Sequence, residues 1–440
     1  MAKISTDFMD KIVALCKRRG FVFPNSEIYG GLASAYDYGP LGAELKNNVK
    51  RAWWKYFVQD REDMTGIDGG IILSPKVWEA SGHVANFMDP LVECKKCHQR
   101  FRPDKLTDAG KCPDCGGEFT EQKLFSGLFK TILGPVEEKG LTVYLRPETA
   151  QAIFADYKNV LASTNMKIPF GIGQMGKAFR NEITTGNFIF RTFEFEQMEI
   201  EYFISPNADW NGIFSEWVDY IHGFMDVIGL DKKKMHDHEI AKEDLAFYSQ
   251  RTIDMEYEFP FGSDELWAIA YRTDYDLGLH QQHSGQNLEY FDEETKTKFL
   301  PHVIEPTFGV DRTVLALLGE AYAEEQLPDG ETRVVLRFKP SMAPFKIAVF
   351  PLLKNKPELV AKAREVYLSL KKNYHVFWDD RGNIGKRYRY QDEIGTPFCV
   401  TVDFDTLEQG DVTVRDRDTM AQERVKIGEL GKYFEGKMNS

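Results

Sequence analysis

The sequence predicts an α+β protein, with an antiparallel sheet flanked by helices and then a small α/β domain. Residues 142–318 mix long, aromatic-rich strands with helices, as antiparallel α+β sheets do. Beyond residue 345, strand-like runs such as FKIAVFPL and FCVTVDF alternate with a helix-like stretch, which favours a partly parallel sheet. Between residues 91 and 120 the composition changes abruptly to lysine, cysteine and polar residues, which indicates an insertion. We therefore predict one domain over residues 1–340, containing the insertion 91–120, and a second over residues 341–440.

Length and composition exclude several classes of protein. A chain of 440 residues is too long for one hydrophobic core, and 42% apolar and 13% aromatic residues indicate a folded chain. No apolar run approaches the roughly 20 residues that span a bilayer, and Asp7, Asp10 and Lys11 interrupt the N-terminal apolar residues. We therefore expect no membrane partner. Four of six cysteines form two CxxC pairs, while Cys16 and Cys399 stand alone. This usage is typical of a reducing compartment, so we expect a cytoplasmic protein.

The net charge of −13 argues against a nucleic-acid partner, because phosphate contacts need lysine and arginine. Residues 341–440, however, contain 17 Lys and Arg against 15 Asp and Glu, so the acidic excess lies before them. In this domain basic and aromatic side chains alternate, a set that can hold phosphates and stack on unpaired bases. The set is Arg381, Lys386, Arg387, Tyr388, Arg389 and Tyr390. A solvated loop explains any one of them equally well, so we assign RNA contact to the domain and not to single residues.

The N-terminal elements follow from periodicity. Ile4, Phe8, Ile12 and Leu15 recur at helical spacing, which predicts an amphipathic helix that ends near Gly20. A loop rich in glycine and tyrosine, residues 29–42, leads into a second helix over residues 44–58. The apolar and aromatic side of the second helix needs a partner. The simple interpretation is packing within the core, and the alternative is an interface between two copies of the chain.

The insertion contains CKKC (residues 94–97) and CPDC (residues 112–115). Two CxxC pairs at this distance predict a tetrahedral, zinc-ribbon-like structural site formed by Cys94, Cys97, Cys112 and Cys115. Four thiolates leave no open position on the ion, so a catalytic role is not expected. His98 is then superfluous and is expected on the surface. The alternative is four free thiols without a metal.

The most informative stretch is FRNEITTGNFIFRTFEFEQMEIEYF, residues 179–203. Two strand-like runs flank the turn-prone residues 184–187, as in a hairpin. Because side chains alternate along a strand, Arg180 and Glu182 are expected on one face of the first run. The corresponding face of the second run is expected to present Arg191, Phe193, Phe195, Gln197 and Glu199. Such a face offers cations for phosphates, an aromatic plate for a base and carboxylates for amino groups.

This hairpin resembles motif 2 of the class II aminoacyl-tRNA synthetases. DYGPLGAELKNNVKRAWW (residues 37–54) resembles motif 1, and IEPTFGVDRTVLALL (residues 304–318) resembles motif 3. RPETAQ (residues 146–151) is a fourth matching stretch. Because all four stretches occur in the order typical of the family, residues 21–430 resemble the bacterial-type dimeric glycyl-tRNA synthetases. The resemblance implies a class II antiparallel catalytic sheet and an anticodon-binding C-terminal domain. It also adds a dimer interface at the second helix, which we favour.

The activity that the resemblance implies is that of a glycine–tRNA ligase in protein biosynthesis. ATP and glycine would form glycyl-adenylate, and the 3′ end of tRNA(Gly) would then attack it. Expected partners are tRNA(Gly), glycine, ATP and a second copy of the chain; Mg²⁺ and structural Zn²⁺ are the expected metals. Two alternatives stay open: a class II synthetase for threonine, serine or proline, and an inactive synthetase-like protein that binds nucleic acid.

The resemblance also implies roles for individual residues. Arg180 would hold the α-phosphate and the amino acid carboxylate, Arg312 would cover the base and touch the γ-phosphate, and both are the expected catalytic residues. Glu182 would accept from the adenine amino group, Arg191 would bind the γ-phosphate, and Phe195 would stack under the base. The complete expected ATP-binding set is Arg180, Asn181, Glu182, Phe190, Arg191, Phe193, Phe195, Glu265, Leu266, Gly309 and Arg312.

Glu265 is the expected magnesium ligand, because that ion prefers hard oxygen atoms. An exposed helical glutamate is the competing interpretation. By the same resemblance the glycine ammonium group would be surrounded by carboxylates, since glycine offers no side chain to recognise. The expected glycine-binding residues are Arg102, Glu148, Glu199, Glu305 and Thr307.

Overall fold

A computed structural model describes residues 6–103, 106, 110–328 and 330–438. The described α-helices are α1 (Thr6–Arg19), α2 (Pro40–Trp53), α3 (Pro75–Ala80), α4 (His83–Asn86), α5 (Ala150–Thr164), α6 (Trp210–Ile228), α7 (Tyr275–Ser284), α8 (Val310–Ala321), α9 (Pro357–Leu370), α10 (Ile384–Ile394), α11 (Phe404–Gln409) and α12 (Leu430–Met438).

The strands in the described part of the chain are β1 (Val22–Pro24), β2 (Tyr36–Tyr38), β3 (Met64–Ile67), β4 (Met88–Glu93), β5 (Arg100–Phe101), β6 (Lys123–Ser126), β7 (Lys130–Leu133), β8 (Leu141–Tyr144), β9 (Phe170–Phe179), β10 (Glu194–Ile204), β11 (Met235–Glu239), β12 (Arg251–Phe259), β13 (Gly262–Thr273), β14 (Tyr290–Phe291), β15 (Lys298–Phe299), β16 (His302–Gly309), β17 (Tyr322–Gln326), β18 (Thr332–Leu336), β19 (Ile347–Pro351), β20 (Val376–Trp378), β21 (Phe398–Val402), β22 (Asp411–Asp416) and β23 (Gln422–Lys426).

The largest sheet has seven strands in the order β11-β12-β13-β16-β10-β9-β3. Its neighbours are antiparallel except for β3, which runs parallel to β9. Helices α2, α6 and α8 contribute to one hydrophobic core with this sheet, where Trp53, Trp217 and Phe308 pack together with Phe57 between them. The predicted α+β class with an antiparallel central sheet is therefore confirmed.

Helix α2 differs from its prediction in a way that matters for assembly. It begins at Pro40 and continues as one π-helical segment, Trp54–Gln59. Trp53 and Phe57, on its apolar side, are fully buried in the core of the same chain. This side packs in the core, as the simple interpretation expects, because α6 and the central sheet cover it, and a dimer interface at the second helix stays a prediction. The first helix, α1, ends at Arg19 as predicted, while Ile4 lies outside the described residues.

The C-terminal sheet has the order β20-β19-β21-β22-β23. Strand β19 runs parallel to both of its neighbours, whereas β21, β22 and β23 pair antiparallel. This confirms the partly parallel sheet that the alternating pattern predicts. The boundaries of the two domains, by contrast, stay a prediction.

A buried charge cluster joins this sheet to the rest of the chain. Asp392 of α10 accepts hydrogen bonds from Arg333 of β18 at 2.8 Å and from Arg415 of β22 at 2.8 and 3.0 Å. The side chains of Arg333 and Asp392 have no exposed surface. Arg417 adds bonds to the carbonyl oxygens of Phe338 and Gly395, both at 2.8 Å. The C-terminal domain is therefore held by charged, directional contacts.

None of the described helices is long and apolar enough to cross a membrane.

Candidate active site

A cavity of about 490 Å³ lies over strands β10, β13 and β16 of the central sheet. It brings together residues from stretches of the chain that are far apart in sequence. Its lining includes most of the predicted set, namely Arg102, Glu148, Arg180, Glu182, Phe190, Arg191, Phe195, Glu199, Glu265, Glu305, Thr307, Gly309 and Arg312. The cavity has two distinct ends, one with arginines and aromatic rings and the other with buried carboxylates.

The strand pairing under this cavity explains why residues from distant stretches of the chain line it together. Strands β9 and β10 pair antiparallel, as the predicted hairpin requires, and β16 pairs with the other edge of β10. Glu199 faces Thr307 across β10 and β16, and Ala270 faces Glu305 across β13 and β16. Because alternate residues share a face, the odd-numbered residues of β10 and β16 line the same side.

The connection between the two hairpin strands is longer than predicted. Strand β9 ends at Phe179 and β10 begins at Glu194, so Arg180, Glu182 and Arg191 lie in the connecting segment. The prediction that they share strand faces is wrong. The backbone leaves the strand geometry here, with left-handed φ angles of 54° at Asn187 and 60° at Phe188. Arg180 and Arg191 nevertheless reach the cavity from this segment.

At the first end, arginines lie over aromatic rings. The guanidinium carbon of Arg180 is 5.3 Å from the ring centre of Phe195, and that of Arg312 is 4.4 Å from the ring centre of Phe190. Arg312 also donates to the backbone oxygen of Glu265 at 2.8 Å and lies 3.2 Å from its carboxylate. Planar cations beside aromatic plates suit a nucleotide, whose base stacks and whose phosphates bind guanidinium groups.

Glu265 lies on strand β13, and its side chain is 40% exposed. The competing interpretation of a helical surface glutamate is therefore wrong, and its carboxylate is open to a ligand in the cavity. An oxygen ligand beside phosphate-binding arginines fits Mg²⁺, which binds proteins through one or two carboxylates.

Three residues of the predicted ATP set lie elsewhere. Leu266 is 1% exposed and belongs to the hydrophobic core, because its strand neighbour Glu265 takes the cavity side. Phe193 lines a second cavity, and its ring lies 6.4 Å from that of Phe129. Asn181 donates its backbone N–H to the carbonyl oxygen of Gly127. Their predicted contact with ATP has no support in these positions.

At the other end, Glu148, Glu199 and Glu305 are buried around one pocket. Glu199 accepts from the backbone N–H of Thr149 at 2.8 Å and from the amide of Gln197 at 3.0 Å. Burial and the neighbouring Glu148 raise the pKa of Glu199. A pocket surrounded by carboxyl groups attracts a small cation and repels an anion.

Arg272 is the principal residue that the sequence analysis missed. It is fully buried, and it lies 2.7 Å from Glu305 and 2.7 Å from Asp276. Its guanidinium carbon lies 3.8 Å above the ring of Tyr248, which also lines the cavity. An arginine four residues before an aspartate, in the run YRTDYD, was the available signal for an internal ion pair.

His83 and Gln151 complete the support of the carboxylates. His83 Nε2 lies 3.2 Å from Glu148, and Gln151 donates to Glu148 at 3.0 Å and to Asp276 at 2.8 Å. Burial alone would raise the pKa of Glu148, but His83 and Arg272 hold it well below its usual range. Glu148 is therefore ionised, as a cation site requires.

Glu201 is a further buried carboxyl next to this pocket. The register that pairs Glu199 with Thr307 also places Glu201 next to Glu305. Neither of its oxygen atoms has a hydrogen-bond partner among the described residues. Burial and the neighbouring Glu305 raise the pKa of Glu201 well above its usual range, so it holds a proton. The spacing of two from Glu199 on one strand was a signal that we did not use.

Arg102 also lines the cavity and is paired at 2.8 Å with Asp89, another lining residue.

The insertion gathers its four cysteines as predicted. The sulfur atoms of Cys94, Cys97, Cys112 and Cys115 all lie within 4.8 Å of one another, and the closest pairs are 3.5 and 3.6 Å apart. A tetrahedron with zinc–sulfur bonds of about 2.3 Å has sulfur–sulfur edges of about 3.8 Å. The donor set and its size therefore fit a Cys₄ zinc site. The side chain of His98 is 75% exposed and points to Glu93, so its predicted surface position is confirmed.

The basic and aromatic set of the C-terminal domain, residues 381–390, lies partly on the surface and partly in the interior. Arg387 is 2% exposed and donates to the carbonyl oxygens of Pro351 at 2.6 Å and Gly382 at 2.9 Å. Arg389 is paired with Glu331 at 3.1 Å. An internal arginine that holds backbone carbonyls cannot bind phosphate, so Arg387 is structural, whereas Arg381 and Lys386 are exposed.

Comparison with known proteins agrees with this geometry. Residues 129–321 match the family described as tRNA synthetase class II core domain (G, H, P, S and T), and residues 346–437 match the anticodon binding domain family. The chain is 54% identical to the glycine–tRNA ligase of Thermobifida fusca and 52% identical to that of Clostridium acetobutylicum. It is 50% identical to that of Acetivibrio thermocellus, and each alignment covers 98% of both chains. The chain belongs to the glycine–tRNA ligase family of the class II tRNA synthetases.

Proposed function

We propose that this chain is a glycine–tRNA ligase, which activates glycine with ATP and transfers it to the 3′ end of tRNA(Gly). The observation that supports this most is one cavity with arginines over aromatic rings at one end and buried carboxylates at the other. The test is pyrophosphate exchange with each of the twenty amino acids, followed by charging of tRNA(Gly). Exchange with glycine alone is the expected result; exchange with serine, threonine or proline instead would contradict it.

Catalysis in this site would depend on positioning and charge. Little covalent help is needed when a carboxylate oxygen attacks the α-phosphorus of ATP. Arg180 would bind the α-phosphate and the glycine carboxylate, and Arg191 and Arg312 would bind the γ-phosphate. These guanidinium groups neutralise charge that increases in the transition state. Mg²⁺, held by Glu265, would supply further positive charge at the phosphates.

Recognition of glycine would depend on its ammonium group. Glu148, Glu199 and Glu305 surround the pocket, with Thr307 paired to Glu199 across the strands. Their carboxylates attract the ammonium group, and the walls exclude larger amino acids by overlap at roughly 1 to 3 kcal/mol for each forced methyl group. Arg102 would close the mouth of this pocket.

This arrangement predicts that glycine binds better as the pH rises through about 8. Burial raises the pKa of Glu305 to about 8; Arg272 opposes this, and Glu199 and Glu148 add to it. Below that pH the carboxyl group of Glu305 holds a proton, which the ammonium group of glycine must displace. We therefore expect the KM for glycine to fall about fivefold from pH 7 to pH 8, measured by exchange at saturating ATP.

The matched control is Glu305→Gln, which cannot lose a proton and should show a flat profile over the same range. An unchanged KM in the parent protein between pH 7 and pH 8 would mean that Glu305 is already ionised.

We propose that the four cysteines of the insertion bind one structural Zn²⁺. With all four ligand positions taken by thiolates, the ion would hold strands β4, β5 and β6 together and take no part in catalysis. We expect Cys112→Ser to lose the zinc and to expose the insertion to proteolysis, measured by metal content per chain and by limited trypsin digestion. Cys16→Ala, a buried cysteine outside the insertion, is the control that keeps its zinc. Full zinc content in Cys112→Ser would contradict the assignment.

We propose a homodimer, but through a different surface from helix α2. Ile28, Tyr29 and Leu32 are 87%, 86% and 61% exposed in the loop after β1. Leu32 shares a cavity with Phe129 and Leu145, which flank the hairpin β7–β8, and that hairpin exposes further apolar residues: Ile132, Leu133 and Leu141. Exposed apolar groups this close together are typical of an interface. Sedimentation equilibrium measures the assembly directly.

We further propose that residues 1–340 are the catalytic domain and residues 341–440 bind the anticodon of tRNA(Gly). The reduced cysteine pairs of the insertion favour the cytoplasm, where the tRNA substrate is also found.

A further inference from the structure

A buried network of charged side chains lies directly behind the arginine and aromatic end of the cavity. Lys46 of α2 lies 2.9 Å from Asp311 of α8 and 3.0 Å from Glu196 of β10. Lys50, one turn further along α2, lies 2.7 Å from the other oxygen of Glu196. Two lysines thus face two carboxylates, so the charges balance. The network links helix α2 and strand β10 to helix α8, which follows β16.

Asp311 has the central position in this network. Its Oδ1 accepts from Lys46 and from the hydroxyl of Tyr38, and its Oδ2 accepts from the backbone N–H of Glu196 at 2.7 Å. Glu196 follows Phe195 in the sequence, and Asp311 precedes Arg312. One carboxylate therefore holds the backbone of β10 beside Phe195 and lies next to Arg312.

Lys46 and Glu196 of the network are ionised although they are buried. Lys46 and Glu196 are each 9% exposed, and Asp311 is 6% exposed. Burial alone would lower the pKa of Lys46, but Asp311 and Glu196 raise it. Burial alone would raise the pKa of Glu196, but Lys46 and Lys50 lower it. Apolar residues of similar volume often stabilise a protein as well as such ion pairs do, so stability alone does not explain the network.

The two cavities that share Phe195 in their lining give another reason for the buried charge network. Phe195, Glu196 and Asp311 line the nucleotide end of the active-site cavity, and the same three residues line a second cavity of about 510 Å³. The partition between the cavities is therefore not supported by a packed core. Apolar contacts allow a ring to shift, whereas charged hydrogen bonds fix distance and direction.

We infer that Asp311, Lys46 and Glu196 are positioning residues that set the spacing between Phe195 and Arg312, which by the family resemblance would lie on the two faces of the bound base. This inference rests on the proposed function, since it assigns the nucleotide to that end of the cavity. It predicts that damage to the network weakens ATP binding and leaves glycine binding nearly unchanged, because the carboxylate pocket has its own support from Arg272 and His83.

The test is the variant Asp311→Asn. An amide can still accept from Lys46 and Tyr38 through its oxygen, but its NH₂ group then faces the backbone N–H of Glu196, a donor against a donor. We expect the KM for ATP in glycine-dependent exchange to rise about tenfold, and the KM for glycine at saturating ATP to change less than about twofold. Tyr38→Phe removes a single hydroxyl group and should raise the KM for ATP about threefold.

Asp392→Asn is the matched control, because Asp392 is also a buried aspartate that bridges two structural elements. It should lower the melting temperature without a change in the KM for ATP. Equal rises in both KM values for Asp311→Asn, or a lower melting temperature alone, would overturn the inference. If Asp311→Asn does not fold, Tyr38→Phe decides the question in the same way.

Failure of the inference is distinguishable from failure of the proposed function. If the parent protein shows no exchange with glycine, the proposed function is wrong. Equilibrium dialysis with labelled ATP then still measures whether Asp311→Asn weakens nucleotide binding, and unchanged binding would overturn the inference.

Discussion

Replacing Arg180 by alanine is expected to lower kcat for glycine-dependent pyrophosphate exchange by about 100-fold or more. The guanidinium of Arg180 lies 5.3 Å from the ring of Phe195, and its Nε donates to the carbonyl oxygen of Pro147 at 3.0 Å. This bond anchors the side chain within the cavity, with the rest of the guanidinium available to a ligand. A positioned cation that acts on charge in the transition state affects kcat more than KM.

The control for this experiment is Arg364→Ala. Arg364 also lies over an aromatic ring, 3.7 Å from the centre of Trp378, but it belongs to the C-terminal domain. Exchange does not involve that domain in the proposed reaction, so Arg364→Ala should keep full exchange activity. Exchange at the parent rate in Arg180→Ala would show that we assigned its role wrongly.

Replacing Arg272 by methionine is expected to lower the free energy of unfolding by about 3 to 5 kcal/mol. Methionine fills a similar volume but leaves the carboxylate of Asp276, and above about pH 8 also that of Glu305, buried without its cation. The measurement is urea denaturation followed by tryptophan fluorescence. Arg251→Met is the control, because Arg251 pairs with Glu239 at the surface of the same sheet. The control should change the free energy of unfolding by less than about 1 kcal/mol.

Equal stability of Arg272→Met and the parent protein would mean that the carboxyl groups take up protons and no longer need the arginine. The variant Glu305→Gln tests the functional side of the same cluster. It keeps the shape and removes the charge that Glu305 carries above about pH 8, so we expect it to fold and to raise the KM for glycine about tenfold above that pH.

The sequence predicted the parts of this site that depend on local pattern. The alternation in residues 194–204 correctly placed Phe195, Gln197 and Glu199 on one side of β10. The spacing of the cysteine pairs correctly predicted that Cys94 and Cys115 would meet. These signals are visible because a strand repeats every two residues and a CxxC pair places both thiolates at one turn.

The errors have a common physical cause, which is that side-chain burial depends on the whole fold. The apolar side of α2 and of the segment after it needed a partner, and α6 packs on it, with Phe224 in contact with Phe57 from far along the chain. Arg387 belongs to the basic and aromatic set of the C-terminal domain, but it binds carbonyl oxygens inside the domain. Arg272 was missed because a spacing of four to Asp276 indicates an ion pair only on a helix, whereas Arg272 lies in a strand. Strand alternation, likewise, could not show that the chain leaves strand geometry after Phe179.

The buried bridge formed by Arg333, Asp392 and Arg415 has a consequence for how an RNA is measured by this molecule. A hinge of exposed, flexible residues would let the C-terminal sheet follow substrates of different lengths. Buried, interlocked charges resist such movement, since bending would leave an ion unpaired. If the C-terminal domain binds the anticodon as we propose, the distance from that domain to the catalytic cavity is fixed, and a tRNA must match it to bind at both places.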